Sequence, residues 1–230
     1  MAGDISSDYK DIFYLIDVFK RKTQTNVHFV PGNHDLYMSG GKDSNTIYRE
    51  LCRLNECLAA YPVDLGDWVL VGEAGWYDYS FKDKRFSTEQ IQKKFYMERV
   101  LADKKYFKWE MRDEEINDFF LKNLEKQMKQ FQDKRIISVT HSVPYKKFVT
   151  YKVSDSVWNY FCAFMGSEKI GELYDRYKVE VAIFGHTHVF HNETHKATLC
   201  LCRPLGYHWE WKYTVDVKRQ IKEALYILEL

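Results

Sequence analysis

Four short segments of the chain carry side chains that are able to bind a metal ion. They combine carboxylate, amide and imidazole groups, and such a mixed set of oxygen and nitrogen ligands suits Mn, Fe or Zn better than Mg or Ca. The segments contain no cysteine, which argues against a structural zinc site. The sequence therefore indicates a centre for metal-assisted chemistry. The segments are Gly3-Asp4, Gly32-Asn33-His34-Asp35, Thr140-His141 and Gly185-His186-Thr187-His188.

Each segment is a weak signal when it stands alone. A Gly-Asp pair carries little information, and a single histidine at a strand end is more often a hydrogen-bonded structural residue than a metal ligand. The loops at the carboxyl ends of the strands of an α/β sheet, however, meet at one edge, so that residues distant in sequence converge there. The combination and order of the four segments therefore favour one shared site.

In these four segments and in their order, the chain resembles the calcineurin-like metallophosphoesterases. The stretch from Asn159 to Gly171 and the run from Arg203 to Tyr207 also look like a bacterial subgroup of that family. The resemblance implies an α/β fold, a four-layer α-β-β-α sandwich. The chain has no internal repeat or Pro/Gly-rich linker, which predicts one domain over residues 1–230, and its charged helical pattern before residue 112 predicts a helical cap inserted around residues 82–112.

The resemblance also implies a set of metal ligands. Asp4 would bridge two divalent or trivalent ions of Mn, Fe or Zn. Asn33, through its amide oxygen, would bind the second ion together with His141 and His186, and His188 would face the first ion. Two ions in this arrangement neutralise the charge on phosphate oxygens and lower the pKa of a bound water.

The implied function is the hydrolysis of a small phosphate mono- or diester by a metal-bound water or hydroxide. His34 would stand over the phosphate and either protonate the leaving oxygen or stabilise charge in the transition state. Asp35 would hydrogen-bond His34 and keep it cationic. The alternative prediction is a binding or scaffold protein that keeps the fold without catalysis.

The chain departs from the family pattern at its start. The family opens with a strand that carries an Asp-x-His pair, and no such pair precedes Asp4. The sequence therefore predicts an N-terminally truncated sandwich in which the first ion has too few ligands. We expect partial or single occupancy by metal, and weak or absent turnover. Exposed sheet edges would also favour self-association.

Hydrophobic periodicity predicts the elements that position these residues. Helical patterns alternate with short apolar strands, which favours a layered α/β sandwich. The predicted helices cover Asp8 to Lys20, much of Thr88 to Lys134, and Ser156 to Tyr177. The predicted strands are Val27 to Val30, Trp68 to Gly72, Ile136 to Thr140, Val179 to Phe184, Ala197 to Cys202, Trp209 to Val217 and Ala224 to Leu228.

Composition narrows the class of partner and the compartment. Lys plus Arg number 34 and Asp plus Glu number 33, so no global field attracts nucleic acid or an anionic membrane. The five cysteines lack Cys-x-x-Cys spacing, which predicts buried reduced thiols. No apolar run reaches the length of a membrane span. The sequence predicts a cytoplasmic protein acting on a small molecule.

Several residues near the four segments admit two interpretations. His191 and His195 are predicted to be solvated loop residues rather than ligands, whereas His208 could line a pocket. One group could either stack on the organic half of a substrate or serve ordinary packing, namely Trp76, Tyr77 and Tyr79. A second group could form either a lid that attracts phosphate or a solvated surface, namely Lys146, Lys147, Tyr151 and Trp158.

Overall fold

The computed structural model describes residues 1–230, and its centre is a six-stranded sheet. Four neighbouring strands of this sheet are parallel, and an antiparallel strand lies at each edge. The sheet order is β1-β2-β5-β6-β8-β7, and β3 pairs with β4 in a separate hairpin. The strands are β1 (Val63–Leu65), β2 (Trp68–Glu73), β3 (Phe95–Tyr96), β4 (Arg99–Val100), β5 (Arg135–Thr140), β6 (Val181–Phe184), β7 (His191–His195) and β8 (Thr198–Cys202).

Eight helices accompany these strands. Buried side chains of α5 and α7 pack on the strands in one apolar cluster, and α1 and α2 contribute to a second. The helices are α1 (Tyr9–Thr23), α2 (Ser44–Leu51), α3 (Thr88–Gln92), α4 (Ala102–Tyr106), α5 (Asp113–Gln130), α6 (Ser156–Phe161), α7 (Glu168–Arg176) and α8 (Val217–Ala224). The predicted α/β sandwich is confirmed.

The register of the parallel strands brings distant residues to one edge. Glu73 pairs with Thr140 at the ends of β2 and β5, and Thr140 pairs with Phe184 at the end of β6. The loops that begin at His141 and at Gly185 therefore start side by side. The amide of Gly185 donates to the carbonyl of His141 at 3.1 Å, which fixes the two loops together.

Two isolated β-bridges join extended segments that lie before residue 60. Ala2 makes a parallel bridge with Val30, and Phe29 makes one with Cys57. The predicted strand Val27 to Val30 is thus reduced to its last two residues. Through these bridges the Gly3-Asp4 segment lies beside the loop that begins at Gly32.

Residues 82–112 contain mixed structure rather than one helix. Helix α3 ends at Gln92, the hairpin of β3 and β4 follows, and α4 completes the segment. Met97 and Glu98 turn the hairpin with positive φ angles of 44° and 66°. A helix cannot continue through such left-handed conformations. The helix expected over much of Thr88 to Lys134 is therefore long only in α5.

The predicted strands Trp209 to Val217 and Ala224 to Leu228 are wrong. A 3₁₀ turn occupies His208–Glu210, and α8 follows. The Asp216 carboxylate accepts a hydrogen bond from the Arg219 amide and caps this helix, which favours the helix locally. Strand β7 instead forms this edge of the sheet.

The cysteines were predicted to be buried thiols. All five cysteines are free, and all but Cys52 are buried. None of the helices combines the length and the apolar character that crossing a membrane requires. Strands β1 and β7 form the two sheet edges, and self-association through them stays a prediction.

Candidate metal centre

The predicted ligands lie on tight loops with unusual backbone geometry. The φ angles of Asp4, His186 and His188 are 56°, 65° and 53°. Residues other than glycine rarely adopt such left-handed conformations, which cost on the order of 1–3 kcal/mol each and concentrate at functional sites. Three of the five predicted ligands thus carry strain that the surrounding structure maintains.

Four of the predicted ligand atoms converge on one point. The Nε2 atom of His141 lies 3.1 Å from Oδ1 of Asn33 and 3.0 Å from Nδ1 of His186. It also lies 3.4 Å from Oδ2 of Asp4. Ligand atoms of Asp4, His141 and His186 all lie within 4.8 Å of one another. These residues come from four different loops.

Hydrogen bonds on the far side of each imidazole fix which nitrogen faces this point. The Nδ1 atom of His141 is 2.7 Å from the carbonyl oxygen of Ala2, and Nε2 of His186 is 3.2 Å from that of Phe164. A carbonyl only accepts, so in the neutral rings these nitrogens carry the protons. The facing nitrogens of both rings then present lone pairs to each other. Main-chain carbonyls orient metal-binding histidines in the same way.

The spacing of the four atoms fits a single cation. Two atoms that each lie about 2.0–2.2 Å from one ion are separated by about 3.0–3.5 Å in octahedral or tetrahedral geometry. The observed separations from His141 Nε2 are 3.0–3.4 Å. When both imidazole rings are neutral, the four converging atoms are all acceptors, and they repel one another unless a proton or a metal ion lies among them. The donor set therefore fits a metal ion.

The pKa values reflect this crowding of charge. Burial opposes ionisation of Asp4, but the charge and hydrogen bond of His141, with His34 and His186, hold the Asp4 pKa below its ordinary value. Burial would lower the pKa of His141, but Asp4 raises it overall. Burial and the nearby His141 charge lower the pKa of His186 to about 3. His186 is therefore neutral and available as a ligand.

Close approach of the backbone requires glycine beside Asp4. A Cβ atom added at Gly32 would overlap the Asp4 carboxylate. At Gly3, where φ is +81°, a Cβ would stand 2.6 Å from Nδ1 of His141. These glycines, which head two of the four segments, leave room for the converging ligands.

Asp35 does not form the expected hydrogen bond to the His34 side chain. Its Oδ1 accepts from the amides of Ile5 and Ser6 at 2.6 and 2.9 Å, and its Oδ2 accepts from the amide of Gly32 at 2.8 Å. The carboxyl is fully buried, and burial together with the Asp4 charge raises its pKa to about 7. Asp35 thus ties the Asp4 loop to the Gly32 loop.

His34 lies at the edge of this cluster. Its main-chain amide donates to Oδ1 of Asp4 at 3.0 Å. Its ring packs on that of Tyr37 with the centroids 4.7 Å apart, and the residue is partly exposed. The predicted role of His34 in protonating a leaving group stays a prediction.

His188 is not one of the converging ligands. Its Nδ1 atom lies 2.9 Å from Oε2 of Glu210, and its ring meets that of Tyr207 at 5.0 Å. It is not among the residues whose ligand atoms cluster within 4.8 Å. The structure thus assembles four of the five predicted ligands and leaves His188 in a separate pair.

Two acidic residues at this site were not indicated by any sequence pattern. Asp103 on α4 is buried and hydrogen-bonded to Asn33, and Glu210 contacts His188. Asp103 lies in a five-residue helix, too short for a periodic pattern to predict its burial. In the sequence Asp103 is followed only by two lysines and then by Tyr106 and Phe107, and that is a weak signal.

Most of the residues for which the sequence left two interpretations open pack against other protein groups. Trp76, Tyr77 and Tyr79 are at least 96% buried, which favours packing over substrate stacking. His191 and His195 were expected in a solvated loop, but they lie on β7 with rings against Phe148 and Tyr145 respectively. Edge-strand pairing with β8 explains this difference.

The residues expected to form either a lid or a plain surface bond mainly to protein groups. The ammonium groups of Lys146 and Lys147 bind main-chain carbonyls and Glu193 respectively. Tyr151 and Trp158 donate to the carbonyls of Phe81 and Thr150. The remaining candidate, His208, is exposed beside Trp211.

Comparison with known proteins places the chain in a family. Residues 1–190 match the model of the calcineurin-like phosphoesterases. No curated protein matches the chain. A phosphopantetheinyl hydrolase (PptH) from Mycobacterium tuberculosis has a similar structure, with a TM-score of 0.77 and 18% identity over 93% of this chain and 80% of that one. TT1561 of Thermus thermophilus has a TM-score of 0.46 and 11% identity over 85% and 70%. The chain belongs to the calcineurin-like phosphoesterase family.

Proposed function

We propose that the protein is a metal-dependent hydrolase of a small phosphate mono- or diester. The observation that carries this proposal is the convergence of Asp4, Asn33, His141 and His186, whose acceptor atoms lie at ligand spacing. A divalent cation bound there supplies charge neutralisation on the phosphate and a water of lowered pKa. Family membership agrees with this chemistry.

The other residues of the site support binding and proton transfer. His34 donates its main-chain amide to Asp4 and has a partly exposed side chain, which could donate a proton to a leaving oxygen. Asp35 holds the two loops that carry Asp4 and His34 in register. No serine or cysteine nucleophile is required for this reaction.

We further propose that one ion binds tightly. The four converging residues supply a carboxylate, an amide oxygen and two imidazoles, which suits Mn, Fe or Zn. His188 pairs with Glu210 outside this set, so a second ion has only Asp4 as a shared ligand from the cluster. A second ion would therefore bind more weakly.

Metal titration combined with a substrate screen tests this proposal. The purified chain is loaded with Mn²⁺, Zn²⁺ or Fe²⁺, metal content is measured, and release of phosphate or alcohol is followed on aryl and alkyl mono- and diesters. Phosphopantetheinyl esters belong in the screen because the similar mycobacterial protein bears that name. We expect about one tight ion per chain and metal-dependent turnover.

The matched control is a carboxylate remote from the site. Asp4→Asn should abolish both binding and turnover, while Asp64→Asn, on edge strand β1, should leave both unchanged. Tight binding without turnover of any ester would favour the non-catalytic alternative. Absence of any tight metal binding by the folded chain would overturn the proposal.

A further inference from the structure

Asp103 is a buried carboxylate that touches one of the converging ligands. It is 2% exposed and lies on α4, within the segment of residues 82–112. Its Oδ1 accepts from Nδ2 of Asn33 and from the hydroxyl of Tyr37, both at 2.8 Å. Its Oδ2 accepts from the hydroxyl of Tyr77 at 3.1 Å.

These hydrogen-bond partners are all neutral donors. A buried carboxylate without a cation is costly, because burial removes hydration that neutral hydrogen bonds only partly replace. A cation among the converging acceptors would polarise the Asn33 amide. The NH₂ group of that amide would then be a stronger donor to Asp103 and would offset part of the cost of burying its carboxylate. The placement of Asp103 is therefore explained better by a cation at the site than by packing alone.

The orientation of the Asn33 amide decides whether the site accepts a cation. With Nδ2 toward Asp103, Oδ1 faces Nε2 of His141 at 3.1 Å and acts as an acceptor. If the amide turned over, its NH₂ group would donate to His141 and occupy that lone pair. The amide oxygen would then face the Asp103 carboxylate, and two acceptors would repel each other.

We propose that Asp103 is a positioning residue that holds the amide oxygen of Asn33 toward the metal. This inference rests on the proposed metal site and adds to it a residue from a different part of the chain. Asp103 acts through Asn33 and touches neither the ion nor a substrate.

The segment that carries Asp103 is itself docked against the Asn33 loop. The amide of Met38 donates to the carbonyl of Tyr106 at 2.8 Å, and the rings of Tyr37 and Tyr106 lie 5.5 Å apart. Helix α4 therefore holds Asp103 at a fixed distance from Asn33. In this way the inserted segment contributes to metal affinity without supplying a ligand.

The test compares Mn²⁺ affinity by calorimetric titration in wild-type protein and in Asp103→Ala and Asp103→Asn. Loss of an orienting partner typically weakens metal binding about 10–100-fold, so we expect that loss in Asp103→Ala. Asp103→Asn keeps an oxygen that accepts from Asn33 and should lose less. Circular dichroism shows which variants are folded, and Asp103→Asn serves if Asp103→Ala does not fold.

Asp113 provides a matched control. It is also a partly buried carboxylate that binds two aromatic donors from the same loop, Trp76 and Tyr79, together with Lys94. It does not contact Asn33. Asp113→Ala should therefore lower stability but change Mn²⁺ affinity by less than about twofold, whereas a merely structural role for Asp103 predicts the same behaviour in both variants.

An exchange of the two groups separates positioning from packing. Asn33→Asp alone sets two carboxylates against each other, and Asn33→Asp/Asp103→Asn restores a donor between them. We expect the double variant to bind Mn²⁺ at least about tenfold more tightly than Asn33→Asp. If the two substitutions act independently, or if folded Asp103→Ala binds Mn²⁺ with unchanged affinity, the inference about Asp103 is overturned but the proposed function is not. Failure of the wild-type chain to bind Mn²⁺ would overturn the proposed function as well.

Discussion

The Nε2 atom of His141 and the Nδ1 atom of His186 face each other at 3.0 Å. The opposite nitrogen of each ring is hydrogen-bonded to a main-chain carbonyl, of Ala2 and of Phe164. Two neutral rings fixed in this way confront each other with lone pairs. That repulsion is relieved when a cation or a proton lies between them, and the further oxygens of Asp4 and Asn33 favour a multivalent cation.

Metal binding should stabilise the fold through these ligands. At free Mn²⁺ of about 100 times its dissociation constant, a single site adds about 2.7 kcal/mol to the free energy of unfolding. We expect this increase in the wild-type chain and its loss in His141→Ala. Chemical denaturation with and without Mn²⁺ measures it. His195→Ala, which alters an edge-strand ring outside the cluster, should retain the full increase.

Gly32→Ala should disrupt the site through steric overlap. The added methyl group would meet the Asp4 carboxylate and drive it from the other ligands. We expect a loss of about 1–3 kcal/mol in stability and at least about a tenfold loss in Mn²⁺ affinity. Gly66→Ala is the control, because a Cβ atom added at Gly66 would meet open space; its φ of +84° adds backbone strain that Gly32 does not have. Equal Mn²⁺ affinities in the two variants would refute the steric explanation.

Stability should fall as Glu73 ionises. Burial raises the pKa of this carboxyl from 4.5 to about 7, although Ala74, Tyr48 and Asn123 donate hydrogen bonds to it. Because the folded-state pKa lies above the unfolded-state value, folding favours the protonated form. The resulting stabilisation is complete below about pH 4.5 and is lost as the pH rises through about 7.

Glu73→Gln mimics the protonated carboxyl and isolates this effect. As the pH rises from about 5 to 8, the wild-type chain should lose up to about 3 kcal/mol of unfolding free energy relative to the variant. Asp35 titrates in the same range in both proteins and cancels in the difference. Urea denaturation at several pH values provides the measurement, and a difference independent of pH would contradict the assignment.

His188→Ala distinguishes a single tight ion from a pair. His188 binds Glu210 rather than the converging ligands, so its removal should change the affinity of the tight ion by less than about twofold. The exposed pair with Glu210 is worth at most about 1 kcal/mol to stability. If the variant lost half of the bound metal, two ions of comparable affinity would be required.

The convergence of the site was predictable because residue type and strand ends act together. Asp4, Asn33, His141 and His186 each follow an extended segment, and the register of β5 and β6 then forces two of their loops together. Their identities as ligands and the role of His34 remain predictions. The chemistry of the side chains and the topology of a parallel sheet were sufficient to predict that the residues meet.

The wrong predictions concern residues whose local hydrogen bonds are not visible in the sequence pattern. Asp35 was expected to face His34, but three main-chain amides nearby capture its carboxylate. Helix α8 forms where strands were expected, because Asp216 caps it. Asp103 escaped detection because α4 is only five residues long, and its burial depends on contacts with Tyr37 and Tyr77, which are distant in sequence.

X-ray absorption spectroscopy of the Zn²⁺-loaded chain observes the proposed coordination itself. One tightly bound ion coordinated by Asp4, Asn33, His141 and His186 predicts two imidazole nitrogens and at least two oxygens at about 2.0–2.2 Å. In His141→Ala, any residual spectrum should retain one imidazole. A coordination sphere without imidazole, or with sulfur, in the wild-type protein would be incompatible with this metal site.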